Sequence, residues 1–195
     1  MVVLQKGQRV SLDKGMKLCL VGLGWDPNTY RSRYDFDLDA SVFLVGANGR
    51  VRSDDDFVFY GNQTHISGSV KSRGDDRTGG NSEDGDDEQI IIDLDRVPSY
   101  VDKIVVTVTI YEAAERGQSF GQVSNAYVRV VKIRNEYDEY GEEVVRFDLD
   151  EEFTDETAVV ACEIVRSGSE WKFCSVGAGY RGELLGLCRK FGVNV

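Results

Sequence analysis

Histidine is nearly absent: His65 stands alone among 195 residues. A zinc enzyme would then need almost all its ligands from carboxylates, a set that zinc sites seldom use. Two prolines occur against twenty-one glycines, which points to tight turns rather than linkers. There is no Cys-x-x-Cys pair. Cys19, Cys162, Cys174 and Cys188 are scattered among apolar neighbours and read as reduced core residues rather than zinc ligands or a redox pair. No apolar run reaches the roughly 18 residues that would suggest a membrane-spanning helix. Met1–Gly7 has neither a long apolar core nor a cleavage signature, so no secretory signal is expected and a cytoplasmic location is the default. Positive charge is also short. Lys and Arg total 23 against 34 Asp and Glu, a net charge of −11. That balance argues against nucleic acid or anionic lipid as a direct partner unless bound cations invert the local sign.

What is present is mostly strand. Met16–Leu23, Ala40–Val45, Phe57–Tyr60, Gln89–Leu94, Lys103–Tyr111, Ala126–Ile133, Glu143–Asp148, Ala158–Val165 and Trp171–Val176 are rich in β-branched and aromatic residues. Gly, Asn, Asp or Ser bounds each one. Asn48-Gly49, Tyr140-Gly141 and Ser167-Gly168 mark turns. The spacing predicts one all-β domain over 1–195, an antiparallel sandwich of two sheets, although spacing alone leaves a barrel open. Two short helices are expected. One is a single turn over Glu112–Arg116. The other covers Gly182–Phe191 and lines up Leu184, Leu187, Cys188 and Phe191 on one apolar face that would pack back on the sheet. The long break in strand pattern runs from Asn62 to Asp87, and a loop of that length in a compact domain is usually functional or disordered.

That loop carries the feature that most needs a physical account. Between Gly74 and Glu88 lie Asp75, Asp76, Glu83, Asp84, Asp86, Asp87 and Glu88, offset only by Arg77. Carboxylates about 5 Å apart at an effective dielectric of 20 repel by ~3 kcal/mol per pair. Open solvation, arginine pairing or a bound cation must offset this. A second acidic group precedes the Ala40 strand. Asp35, Asp37 and Asp39 alternate with Phe36, Leu38 and Ala40, so an extended backbone puts the acids on one face and the apolar residues on the other. Asp26 lies upstream in Gly24-Trp25-Asp26-Pro27-Asn28. Alternate strand residues stand ~6.6 Å apart, so three aspartates from one straight strand cannot readily share one ion. Either the segment curls, or Asp37 bridges two neighbouring ions, with Asp84, Asp86, Asp87 and Glu88 as the opposite wall. Oxygen ligands without His or Cys suit a hard cation, and flexible glycine-rich loops suit calcium's 6–8 ligands. The pattern is not an EF-hand, because Ala40 stands where that loop needs glycine. Asp93–Asp95 and Asp148–Asp150 repeat Asp-Leu-Asp without comparable acidic surroundings and read as strand-end turns.

Several stretches together resemble the TerD family of tellurium-resistance and general-stress proteins. They are Val21–Asp26, Asp35–Ser41, Phe57–Tyr60, Gly85–Glu88, Val101–Ile104, Phe120–Ala126, Glu170–Phe173 and Val176–Tyr180. The resemblance covers nearly the whole chain. It implies a calcium-binding β-sandwich, with ligands from Asp35, Asp37 and Asp39 and from the Asp75–Glu88 loop; with the two adjacent sites that the strand spacing favours, the expectation is a non-enzymatic module holding two Ca2+ ions. It also implies stress sensing beside other proteins of the tellurite-resistance cluster at the inner membrane. Other readings of the residues stay open. Clustered aspartates with Arg73 and Arg77 could serve a metal-dependent hydrolase. Ions could bridge the acids to phospholipid headgroups, with Trp25 and Tyr30 as apolar tips. Cysteine-based tellurite reduction would need an exposed thiol of low pKa, and His65 reads as an exposed loop residue.

Overall fold

The computed structural model describes residues 1–28, 34–74, 77–80, 85–138, 141–149 and 153–195. In chain order the strands are β1 (Val2–Leu4), β2 (Arg9–Ser11), β3 (Leu18–Gly24), β4 (Leu38–Val45), β5 (Phe57–Val58), β6 (Val70–Ser72) and β7 (Glu88–Asp93). They continue with β8 (Lys103–Ile110), β9 (Tyr127–Lys132), β10 (Glu142–Asp148), β11 (Ala158–Ser167) and β12 (Glu170–Tyr180). Two helices, α1 (Ala113–Arg116) and α2 (Glu183–Phe191), fall where the sequence places them.

The strands form two six-stranded sheets. The first runs β1-β10-β9-β3-β7-β6 in space and the second β2-β12-β11-β8-β4-β5. The sandwich expectation therefore holds. Among the described ladders, one pair is parallel: β1 lies along β10 with Val3 opposite Arg146. Alternation builds the core. From β3, Cys19, Val21 and Leu23 face inward, and from β4, Leu38, Val42 and Leu44 do so. The odd positions of β4 face out, where Phe43 and Val45 meet α2. Phe43 stacks on Phe57 at 4.3 Å and meets Phe191 at 4.6 Å. Leu187, Cys188 and Phe191 are buried there, so the apolar stripe of α2 closes the outer face of the second sheet. Gly192, at φ +85°, ends the helix with its N–H on the Cys188 carbonyl.

The long acidic loop is not one uninterrupted loop. Val70–Ser72 forms β6, antiparallel to β7 with Lys71 opposite Ile91. Ser167-Gly168 makes the expected hairpin between β11 and β12, with Gly168 at φ +65°. Part of the expected Tyr140-Gly141 turn falls outside the described residues.

Candidate metal centre

The alternation read from Asp35–Ala40 is realised. Phe36 and Leu38 are buried in the core, and Ala40 packs against it. Asp35 is exposed, whereas Asp37 and Asp39 are only 4% and 7% exposed. Asp39 lies on β4 opposite Thr109 of β8. The Asp37 carbonyl accepts the Tyr111 N–H at 2.9 Å. Arg116 Nη1 and Arg77 Nε approach the same oxygen, Asp37 Oδ2, at 3.4 and 3.6 Å. Arg116 sits between the rings of Tyr34 and Tyr111, at 5.4 and 4.9 Å. The buried Gln118 amide donates to the carbonyls of Tyr34 and Asp35 at 3.2 and 3.0 Å, which pins the entry to the acidic segment.

The facing acids do not form a single wall. Gly85 turns the chain at φ +81°, and the next three carboxylates diverge. Asp86 goes to the outer face of the first sheet, where Arg129 holds it with Nε at 2.7 Å and Nη2 at 2.9 Å. Asp87 Oδ2 accepts the Trp25 N–H at 2.9 Å, while its own N–H bonds to the Leu23 carbonyl at 2.7 Å. It thereby extends the end of β3. Glu88 Oε2 accepts the Ala40 N–H at 2.5 Å and so ties β7 of one sheet to β4 of the other, next to Asp39. Asp26 is exposed and accepts from the Asn125 amide. Asp75, Asp76 and Asp84 lie outside the described residues. The geometry thus brings Asp87 and Glu88 to the ends of β3 and β7, with Glu88 reaching the start of β4 one residue along the chain from Asp39, and sends Asp86 elsewhere. Among the described residues no three acids, His or Cys converge closely enough to enclose an ion. The described donor set is all oxygen, which matches a hard cation.

The end of β3 beside the Gly85 turn tolerates little bulk. A Cβ on Gly24 would stand 2.4 Å from the Gly85 carbonyl oxygen and 2.5 Å from the Tyr127 ring. Gly24→Ala should therefore cost about 2 kcal/mol through overpacking. Urea denaturation measures the loss, and an unchanged midpoint would contradict this packing.

Three sequence readings need correction. His65 is not an exposed loop residue but is 1% exposed. Its Nε2 lies 3.0 Å from Asp56 Oδ1 and its Nδ1 2.8 Å from Ser67 Oγ. Asp56 also accepts the Tyr100 hydroxyl at 2.6 Å and the N–H groups of Arg52 and Ser53 at 2.8 and 3.2 Å. Burial pushes the Asp56 pKa up, but these donors outweigh it and hold the carboxyl below its ordinary value. Burial and the bond to Asp56 push the Tyr100 hydroxyl up to about 12. An available signal was the Ser53-x-x-Asp56 spacing, which resembles a capping box. Second, Trp25 is no lipid-facing tip: it is buried, and its indole N–H donates to the Phe36 carbonyl at 3.1 Å. Tyr30 lies outside the described residues. Third, Arg73 turns to Gln89 at 2.9 Å and to the Glu136 carbonyl rather than to the acids.

The cysteines sit as expected. All four are buried and free. Burial, with Asp93 nearby, pushes the Cys19 thiol up to about 12, and burial raises those of Cys162, Cys174 and Cys188. Thiols of that kind are poor nucleophiles at neutral pH.

Comparison with known proteins identifies the lineage. The TerD domain model matches residues 1–191. The chain belongs to the TerD family. It is 51% identical over 196 residues to tellurium resistance protein TerD of Serratia marcescens, covering 99% of this chain and 98% of that protein. It is 45% identical over 197 residues to general stress protein 16U of Bacillus subtilis, covering 100% and 98%. A crystal structure of a telluride resistance protein homologue from Streptomyces coelicolor A3(2) superposes with a TM-score of 0.69. That match covers 89% of this chain and 95% of the other at 24% identity, and it supports the shared TerD sandwich alone. Among the described residues no helix is long and apolar enough to cross a membrane.

Proposed function

We propose that this chain is a non-enzymatic calcium-binding module of a stress response. In this reading it binds two Ca2+ ions where β4 begins and the acidic loop ends, and docks to partner proteins at the cytoplasmic face of the membrane. The observation that carries the reading is the burial of Asp37 and Asp39, with Arg77 on Asp37 and Glu88 on the Ala40 N–H. Burying carboxylates is costly unless positive charge or hydrogen bonds accompany them. Arg116 and Arg77 both approach Asp37 Oδ2, so positive charge already gathers on this carboxylate. A divalent cation is the partner that an all-oxygen set of carboxylates suits best. Asp35, Asp37, Asp39, Asp87 and Glu88 would hold it, joined by Asp75, Asp76 and Asp84 of the loop and by Asp26 at the edge. Asp37, central in its run, would bridge the two ions.

Family membership supports the physiological half of the reading. The relatives' names refer to tellurium resistance and general stress, so the partners proposed here are other tellurite-resistance cluster proteins, membrane-associated ones included. The described thiols and His65 are engaged inside the fold, which favours a binding module over a redox or hydrolytic enzyme. Calorimetric titration of the metal-free protein with calcium chloride should give saturable heat at two ions per chain. No heat at millimolar calcium would sink the proposal. A phosphatase and nuclease screen with calcium, magnesium and manganese should stay at background, and metal-dependent turnover lost in Asp37→Asn would instead establish a hydrolase.

A further inference from the structure

Asp86 is buried on the outer face of the first sheet, over Gly22, whereas Asp87 and Glu88 turn to the Trp25 and Ala40 N–H groups. Both of its carboxylate oxygens receive Arg129, in a two-pronged pair at 2.7 and 2.9 Å. The Tyr127 hydroxyl at 3.1 Å and the Gln89 amide at 3.2 Å complete its shell. The carboxylate lies directly over Gly22 of β3, where a Cβ would come within 2.2 Å of Oδ2. Arg129 reaches onward to Glu143 of β10 at 3.1 Å. Tyr127, whose hydroxyl also donates to the Gly85 carbonyl, carries the Arg146 guanidinium at 3.8 Å from its ring centre. Strands β3, β7, β9 and β10 thus all contribute to a seat for residues 85 and 86.

We infer that the Asp86–Arg129 pair is a latch that fixes the end of the acidic loop to the first sheet, sets the register that delivers Asp87 and Glu88 to the Trp25 and Ala40 N–H groups, and withdraws Asp86 from cation binding. Asp86 is then a positioning residue. A bidentate arginine fork satisfies both oxygens of a carboxylate in a fixed plane, so Asp86 could ligate an ion only by giving up its fork to the half-buried Arg129. The stepwise divergence of residues 86, 87 and 88 follows from anchoring the first of them. The affinity part of this inference rests on the calcium reading, whereas the latch itself does not.

The test is a double-mutant cycle on the metal-free chain, followed by calcium calorimetry on the same proteins below their melting temperatures. Asp86→Asn and Arg129→Gln should each lower Tm by about 10 °C, and the double variant should fall no further than the weaker single. Each single variant should weaken calcium binding about tenfold or more while the number of ions bound stays at the wild-type value. Arg129→Lys, which keeps the charge but not the fork, should fold and recover part of both losses. Additive Tm losses would overturn the latch. Loss of one bound ion in Asp86→Asn, with unchanged or tighter binding in Arg129→Gln, would make Asp86 a ligand and overturn its withdrawal. A wild-type chain that binds no calcium would refute the calcium reading, and the metal-free cycle would still decide the latch.

Discussion

Asp56→Ala should cost about 3–5 kcal/mol, because it removes a buried acceptor on which several donors converge. Those donors are the Tyr100 hydroxyl, His65 Nε2 and the N–H groups of Arg52 and Ser53. With no acceptor they would be left dry. At about 2–4 °C per kcal/mol for a chain of this size, Tm should drop by roughly 10 °C, as measured by circular dichroism at pH 7. The same group sets a pH dependence of known sign. Its folded pKa lies below the unfolded value. Its contribution is therefore present above the unfolded pKa and lost as the pH falls through the folded one. Wild-type Tm should decline as the pH drops below about 4, and Asp56→Asn, which cannot ionise, should show a flatter decline. Equal slopes for the two proteins would assign acid sensitivity to other carboxylates.

Calcium should stabilise the chain by mass action. At a hundredfold excess over the dissociation constant the gain is about 2.7 kcal/mol per site, which for this chain length corresponds to a rise of about 5–10 °C. Asp37→Asn combined with Asp39→Asn should remove most of that rise. Magnesium at equal concentration should give less, because it demands near-octahedral geometry and keeps much of its water. A rise that survives the double substitution would move the ions away from the start of β4.

The parts of this fold that could be read in advance are those carried by local pattern. Asp35–Ala40 alternates acid with apolar residue, and period two alone decides which face each joins. Leu184, Leu187, Cys188 and Phe191 share one side of a helix for the same reason at period 3.6. β1, β2 and β6 are three residues each, too short to carry a period, and exist because neighbouring strands offer them partners. The acidic loop shows the sharper limit. Asp86, Asp87 and Glu88 look equivalent in a row, yet each goes to a different partner, Arg129, the Trp25 N–H and the Ala40 N–H. Those partners lie tens of residues away in the chain, and only the assembled sandwich selects among the three acids. His65 failed for a similar reason: its acceptor Asp56 and the hydroxyl of Tyr100 meet through the tertiary fold.

Two calcium ions bound where β4 begins and the acidic loop ends would perturb the amides that surround them. Amide NMR of the isotopically labelled, metal-free chain, titrated with calcium chloride, tests this most directly. Saturation is expected at two ions per chain, with the largest shifts at Asp35–Ala40 and Asp75–Glu88 and little change around Asp56 and His65. Unmoved amides in both segments at millimolar calcium would contradict two-ion binding.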